Sequence, residues 1–402
     1  REVWIKLGDV RERSGRFESS LDAYRRATQL TGDNDLAKAE VLLKRARAKE
    51  RAGAYSSALA ETTRARAIAE SIGTEDSQRL LGHILGYAAL IRQAQQKPRQ
   101  ALDLAQRTAQ VAEMAEDEIA LARAWRVMDW AHFMLGEPDR AVHSVKALEV
   151  YQRVGDLDEE AGVSTNLGTI SYLMGDWAAA IEHYDRGREA SVRVGNLVDS
   201  AVAAANIGEV LVNQGRYEDA GEPLREARRI YSASGFSEGV AFTDLLLGRM
   251  YGIEDNLVES EQALEESIAE SNALGLDAWS LEASIHLADA KCRAGSPETG
   301  LAIIAEAEAS APSDFRDYYA PLLARIRGSI LNSAGQTNDA IRVLEQAITV
   351  AAERGEDYEL SLLVLTLDRI APDHTEAPSR LNAIRALRTL GVRSAPGVSL
   401  DV

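Results

Sequence analysis

Between Glu160 and Gly195 the chain reads EAGVSTNLGTISYLMGDWAAAIEHYDRGREASVRVG, and its small and apolar positions recur with a helical period. Let Ser164, Leu167, Gly168 and Ser171 be positions 4, 7, 8 and 11, and Gly175, Trp177, Ala180, Tyr184 and Gly187 positions 15, 17, 20, 24 and 27. The first four then share one face of a first helix and the last three one face of a second, because residues three and four apart lie on the same side of an α-helix. Small residues at positions 8 and 20 let the two backbones approach, Gly175 admits a left-handed turn, and the ring of Trp177 covers the corner. One such pair buries too little apolar surface to stand alone.

The pattern returns along the whole chain. Position 15 is filled by Gly15, Gly53, Gln96, Gly136, Gly175, Gly215, Asp255, Gly295, Gly335 and Thr375, at intervals of 38, 43, 40, 39 and then 40 throughout. Second helices are expected to stop at Gly32, Gly73, Gly155, Gly195, Gly235, Gly275 and Gly355, the usual place for a C-cap glycine. No alternation of strand type competes. The expectation is an all-α solenoid over residues 1–391, of about ten helix-turn-helix repeats near 1–38, 39–81, 82–121, 122–160, 161–200, 201–240, 241–280, 281–320, 321–360 and 361–391. Residues 392–402 read as a frayed tail. The third repeat, with Gln96 and Pro98 at its turn, and the seventh, with Asp255 and Leu257, read as irregular joints.

The chain has 402 residues, 46% of them hydrophobic and 5% aromatic, and it is rich in Ala, Leu, Glu and Arg, which favours helix. A single core seldom grows to that size, but a repeat array has no such limit. The net charge of -18 argues against direct contact with nucleic acid. Cys292 is the only cysteine, so one chain can form neither a disulfide nor a cysteine metal site, and a cytoplasmic setting fits. No apolar run approaches the ~18 residues of a membrane span, and the opening REVWIKLGDV has no signal-peptide layout. Because Trp4, Leu7 and Gly8 already occupy positions 4, 7 and 8, the chain reads as part of something longer.

At Trp4–Gly8 (WIKLG), Asn166–Gly168 (NLG), Asn206–Gly208 (NIG) and Gly215–Ala220 (GRYEDA) the sequence resembles the tetratricopeptide repeat family, in a form longer than the usual ~34-residue unit. That resemblance implies a right-handed superhelical solenoid whose first helices line a concave groove. A narrower likeness, carried by Asn206–Gly235 and Gly239–Met250, is to the C-terminal repeat region of actinobacterial signalling proteins that join a nucleotide cyclase to an ATPase module, and to arrays that follow ATPase modules in transcriptional regulators.

Motifs for chemistry are absent: there is no phosphate loop, no HExxH, no CxxC and no GxGxxG. The stretch Gly235–Gly239 matches GxSxG, but Gly235 falls on a helix stop and no strand precedes it, so the nucleophile-elbow context is missing. The six histidines form no pair at chelating helical spacing. No cofactor or metal is expected, and the segment itself reads as non-catalytic.

What remains is the groove. Positions 2, 5, 9 and 12 of each first helix share a face away from the packing stripe, with position 6 at its border. This selects Arg123, Arg126, Trp130 and Phe133 in the fourth repeat, Asn166, Thr169 and Tyr172 in the fifth, and Asn206, Glu209 and Arg249 in the sixth and seventh. Cations beside aromatic rings suit an acidic or aromatic-containing peptide, and the family resemblance implies that Asn166 and Asn206 hydrogen-bond a ligand backbone. The competing reading is that Asn166 and Asn206 bond neighbouring helices while Trp130 and Phe133 pack between repeats. Two functions fit. One is a protein- or peptide-binding module that regulates upstream domains of the same polypeptide, a cyclase, an ATPase or a transcriptional regulator. The other is a stand-alone peptide-responsive regulator that sequesters a partner protein.

Overall fold

A computed structural model describes residues 1–374, 377–395 and 400. It contains 21 α-helices, and no strand occurs among the described residues. Ten are first helices of repeats: α1 (Glu2–Arg13), α3 (Asp35–Arg51), α5 (Glu75–Ala94), α7 (Glu118–Met134), α9 (Leu157–Leu173), α11 (Leu197–Asn213), α13 (Ser237–Ile253), α15 (Asp277–Arg293), α18 (Ala320–Ser333) and α20 (Asp357–Ile370). Their partners are α2 (Phe17–Gln29), α4 (Tyr55–Ile72), α6 (Pro98–Met114), α8 (Ser144–Val154), α10 (Trp177–Arg193), α12 (Tyr217–Ser234), α14 (Leu257–Leu274), α16 (Pro297–Ser310), α19 (Thr337–Arg354) and α21 (Ala377–Thr389). A short extra helix, α17 (Ser313–Tyr318), follows α16.

The pairing of positions 8 and 24 does what the pattern implies. A Cβ added at Gly168 would lie 2.5 Å from the Tyr184 ring, and one at Gly328 would lie 2.8 Å from Leu344. In these two repeats position 8 therefore has no room for a side chain, because the large residue at 24 fills that space.

The joints expected to be irregular are regular. Gln96 and Asp255 take positive φ, 55° and 63°, and so make the same left-handed turn as Gly175 at 79°. Asp tolerates that region better than most residues, and the helix-closing hydrogen bonds Lys97 N to Arg92 O and Asn256 N to Tyr251 O hold both turns. The long interval before Gln96 is absorbed by α5, which has 20 residues against 17 in α7. The irregular repeat is the fourth instead. There position 8 is Asp129, not glycine or alanine, and its carboxylate accepts from the backbone N–H of His143 and of Ser144, both at 2.6 Å. This cap from a neighbouring helix delays α8 until Ser144, and Pro138–Arg140 form only a 3-10 turn.

First helices begin earlier than the repeat starts drawn from the sequence: α9 opens at Leu157 and α11 at Leu197, against 161 and 201. The tail is not frayed over its first residues, since Val392 and Ala395 are buried and Arg393 N–H donates to Gln214 O at 2.7 Å. Thr375, the tenth turn position, lies outside the described residues.

Contacts divide the chain into two compact units. The N-terminal unit comprises 1–174, 179–203 and 230–236; the C-terminal unit comprises 175–178, 204–229 and 237–402. Apolar clusters between consecutive helix pairs form the core of each, such as Ala89, Ala101, Ala105, Val127, Trp130 and Ala131 in the first and Leu281, Ile285, Ile304 and Ile330 in the second.

Candidate functional site

In the N-terminal unit the inner faces of the first helices look at one another. Arg51 of α3 pairs with Asp199 of α11 at 2.8 Å, across 148 residues of sequence. Arg47, one helical turn earlier, pairs with Asp158 of α9 and, at 2.7 Å, with Glu12 of α1. Asn196 donates to both Asp158 and Asp199, at 3.0 and 2.6 Å. Periodicity alone leaves this inner face free along its length; here the chain's own ion pairs span it.

They do not fill it. A cleft of about 280 Å³ remains, walled by α3, α5, α7, α9 and α11, with Phe236 also in its lining. On the α7/α9 wall, Glu159 serves two guanidinium groups: Arg123 at 2.5 Å through Nη2, and Arg126 at 3.6 Å through Nη1. Burial alone would raise the Glu159 pKa, but Arg123 and Arg126 outweigh it and hold the carboxyl at about 2. Arg123 also lies over the Tyr87 ring, 4.6 Å from its centroid. Arg126 is only 7% exposed and makes no side-chain hydrogen bond among the described residues. It fits because the facing residue is Gly162, where a Cβ would lie 1.9 Å from Arg126 Nη1.

On the α3 wall, Glu50 makes no side-chain hydrogen bond or ion pair among the described residues. Burial is the main cause that lifts its pKa to about 7, against the opposing pull of Arg51. Asp158 goes the other way: burial works against its charge, yet Arg47 and Arg51 drive it well below the usual carboxylate range. Also in the cleft's lining, Gln93 donates to Asn166 Oδ1 at 3.0 Å, which leaves Gln93 Oε1 and Asn166 Nδ2 without partners.

Of the ten residues selected from the sequence, Arg126 and Asn166 line this cleft. Arg123 stands behind Arg126 in the shared pair with Glu159. Trp130 is a correction: it is 5% exposed and packs back onto the preceding repeat, where Ala89, Ala101 and Ala105 leave room for an indole. Phe133 is half-buried and Tyr172 likewise. Thr169 accepts from the Tyr184 hydroxyl at 3.2 Å. The other three belong to the C-terminal unit. Asn206 and Glu209 are half-buried there, and Arg249 is held by Glu282 at 3.2 Å and Asn213 at 2.7 Å.

Sequence reasoning missed Arg47, Glu50, Tyr87, Gln93, Asp158, Glu159 and Asp199. The first four occupy positions 9, 12, 6 and 12 of the second and third repeats, so the rule for the inner face already selects them if it is applied there. Asp158 and Asp199 lie in the first turns of α9 and α11, ahead of the first position that the sequence register counts as helix.

Among the described residues there is no cluster of three or more His, Cys, Asp or Glu able to hold a metal ion. Gly235 of the GxSxG stretch is a helix stop with φ of 71°, and Ser237 opens α13. No helix among the described residues is long and apolar enough to cross a membrane.

Stacked helix pairs of about forty residues, small at position 8 and large at 24, define a helical-repeat solenoid. Residues 2–34 and 159–233 match family models of the tetratricopeptide repeat, and the fold is that of a tetratricopeptide-repeat solenoid. Among solved structures it is similar to a signal transduction ATPase with numerous domains that carries a tetratricopeptide repeat sensor, from Pyrococcus horikoshii. The identity is 16% and the TM-score 0.54, over 82% of this chain and 50% of that one. It is also similar to a Rap protein complexed with competence and sporulation factor, at 13% identity and TM-score 0.52 over 92% of this chain and 97% of that one. A third is the Rap conjugation gene regulator of plasmid pLS20 in complex with the Phr* peptide, at 14% identity and TM-score 0.51 over 78% and 86%. A comparison with curated proteins finds no match by sequence.

Proposed function

We propose that this chain is a non-catalytic module that binds a protein or peptide, and that it works as the cytoplasmic sensory or regulatory part of a larger bacterial signalling protein with a cyclase, ATPase or transcriptional output. The observation that carries this reading is the cleft of the N-terminal unit. Five first helices wall it, and it holds polar groups whose hydrogen-bonding capacity the chain leaves unused, at Arg126, Asn166 and Gln93. Buried polar groups are normally satisfied, so unused ones in a cleft point to a guest. The sensor title of the archaeal ATPase and the peptide-bound Rap structures are in keeping with it. In this reading Arg126 and Asn166 touch the ligand, Arg123 supports Arg126, and Phe133, Thr169 and Tyr172 extend the same track; Asn206, Glu209 and Arg249 contribute only if the ligand also reaches the C-terminal unit.

The alternative, a stand-alone regulator that sequesters a partner, is favoured by one number: the alignment spans 97% of a Rap chain but 50% of the ATPase. The coding sequence upstream of Arg1 separates the two, since the first requires catalytic or ATPase motifs there. The binding reading itself is tested by passing a soluble pool of mixed-sequence peptides, five to twelve residues long, over the immobilised chain and identifying what is retained by mass spectrometry. Retention that is lost in Asn166→Ala supports it. A pool that passes through unretained overturns it.

A further inference from the structure

The charged groups around the cleft fall into two networks with opposite surpluses of charge. On the α7/α9 side, two guanidiniums share the single carboxylate of Glu159, and Arg126 has the poorer share at 3.6 Å with its donors unused. In the network centred on α3, Arg47 and Arg51 of that helix face Glu12 of α1, Asp158 of α9 and Asp199 of α11, which already take up both cations, and Glu50 of α3 makes no side-chain hydrogen bond or ion pair among the described residues. A guanidinium offers five N–H donors in a planar fork matched to a carboxylate, and a buried charge with neither a full ion pair nor a hydrogen bond is costly. Glu50 is the reverse case, an acceptor in need of a cation. The same cleft is lined by the free Asn166 amide N–H and Gln93 carbonyl. The cleft volume of about 280 Å³ is at the lower edge of the ~300–1,000 Å³ typical of small-ligand sites.

From this we infer that the cleft takes a compact zwitterion, its carboxylate on Arg126 and its ammonium on Glu50, with the two amides of Asn166 and Gln93 holding the part between. This rests on the binding reading above and narrows it, from any peptide to a ligand whose two charged ends are both read. A free α-amino acid and a peptide of two or three residues share that chemistry. Gly162 is the positioning residue, because only the absence of a Cβ there lets the guanidinium lie against α9.

The test uses the full chain at pH 8 and reads the rise in melting temperature, since a ligand that binds only the folded state stabilises it by mass action. The probes are an equimolar mixture of the common free L-amino acids and a mixed-sequence tripeptide pool with both ends free, N-acetylated, C-amidated, or blocked at both ends. The expected result is a shift with the amino acids or with the free-ended tripeptides, and which of them acts identifies the source. Blocking either end is expected to raise the half-maximal concentration at least tenfold. Glu50→Gln should erase the penalty for N-acetylation alone, and Gly162→Ala the penalty for amidation alone. Both variants should fold: Glu50→Gln keeps the side chain's size and removes no side-chain hydrogen bond or ion pair among the described residues, and the atom meeting a new Cβ at 162 is the far end of a flexible side chain. Equal shifts with free and doubly blocked tripeptides would overturn the inference. So would retention of longer peptides with no response to any zwitterion, an outcome that leaves the binding reading standing.

Discussion

The interiors of the two units are built from the same inner-face positions and end up different. In the N-terminal unit Arg126, at position 5, meets Glu159 of the next repeat; in the C-terminal unit Arg325, again at position 5, meets Glu359 at 2.9 Å. Around the first pair a cleft of about 280 Å³ persists, whereas around the second only about 40 Å³ is left, enough for a few waters. Two substitutions between the repeats account for much of this. Where the fifth repeat has Asp158 and Gly162, the tenth has Tyr358 and Leu362, and both larger side chains line the smaller space. Tyr358 is held in place edge-on to Trp177, with centroids 5.1 Å apart, and by donation to Asn213 O at 3.1 Å. One architecture thus yields an open cleft or a filled interior, and the choice turns on a few inner side chains.

The comparison is broken most forcefully at the shared ion pair. Glu159→Ala would leave two buried guanidiniums, both under 10% exposed, facing no carboxylate. Stranding a buried charge costs about 3–5 kcal/mol, so this variant should lose at least that. Glu359→Ala strands Arg325 alone, at a pair whose carboxylate is 20% exposed, and should cost less. Denaturant titration of both variants checks the ranking, and equal losses would mean that the second guanidinium adds nothing. The pH dependence has a definite sign. Glu159 has its folded-state pKa depressed to about 2, so its stabilisation is in force above the ordinary carboxylate range and is lost as pH falls towards 2.

A milder break is a side chain at position 8. Gly168→Leu drives new atoms into Tyr184, and Gly328→Leu into Leu344. Overpacking of this kind costs typically ~1–3 kcal/mol, sometimes more. Calorimetry should show the first variant weakening the N-terminal unit and its ligand response together, while the second leaves the ligand response intact. Melting of both variants like the parent would mean that the helix pairs are not in the contact described.

That register was legible in the sequence, because Gly168, Ala180 and Tyr184 recur at fixed spacing and close packing leaves position 8 few alternatives. The helix starts were not legible. Asp156 caps α9 by accepting from Glu159 N at 3.3 Å, and Asp117 caps α7 in the same way, yet neither belongs to the apolar stripe that sets the register. The inner acids Asp158, Glu159 and Asp199 were lost with those first turns. Nor does periodicity report that Arg51 reaches Asp199, since the turn closes only through small rotations summed over several repeats. Trp130 shows the remaining limit: position 9 carries Arg47 inward in the second repeat, but the alanines of the third repeat draw an indole at the same position into the core.

The smallest expected effect isolates the unpaired carboxyl itself. Glu50 titrates at about 7 in the folded chain, mainly through burial, with Arg51 and Arg47 opposing and Asp199 and Glu12 adding to the rise; Asp158 of α9 faces the same space. A carboxyl whose pKa is raised on folding binds more protons folded than unfolded between its two pKa values. Its contribution to stability is therefore full below the unfolded value of ~4.3 and declines as pH rises to about 7. Glu50→Gln removes that decline and should stabilise the chain by on the order of 1–3 kcal/mol above pH 7, with little change at pH 4. Tyr358→Phe, at the position of the tenth repeat that Asp158 holds in the fifth, should show no such pH dependence, since it removes no group that titrates near neutrality. A gain from Glu50→Gln that is the same at pH 4 and pH 8 would mean that the carboxylate already has a counter-ion, and the charge asymmetry between the two networks lining the cleft would vanish with it.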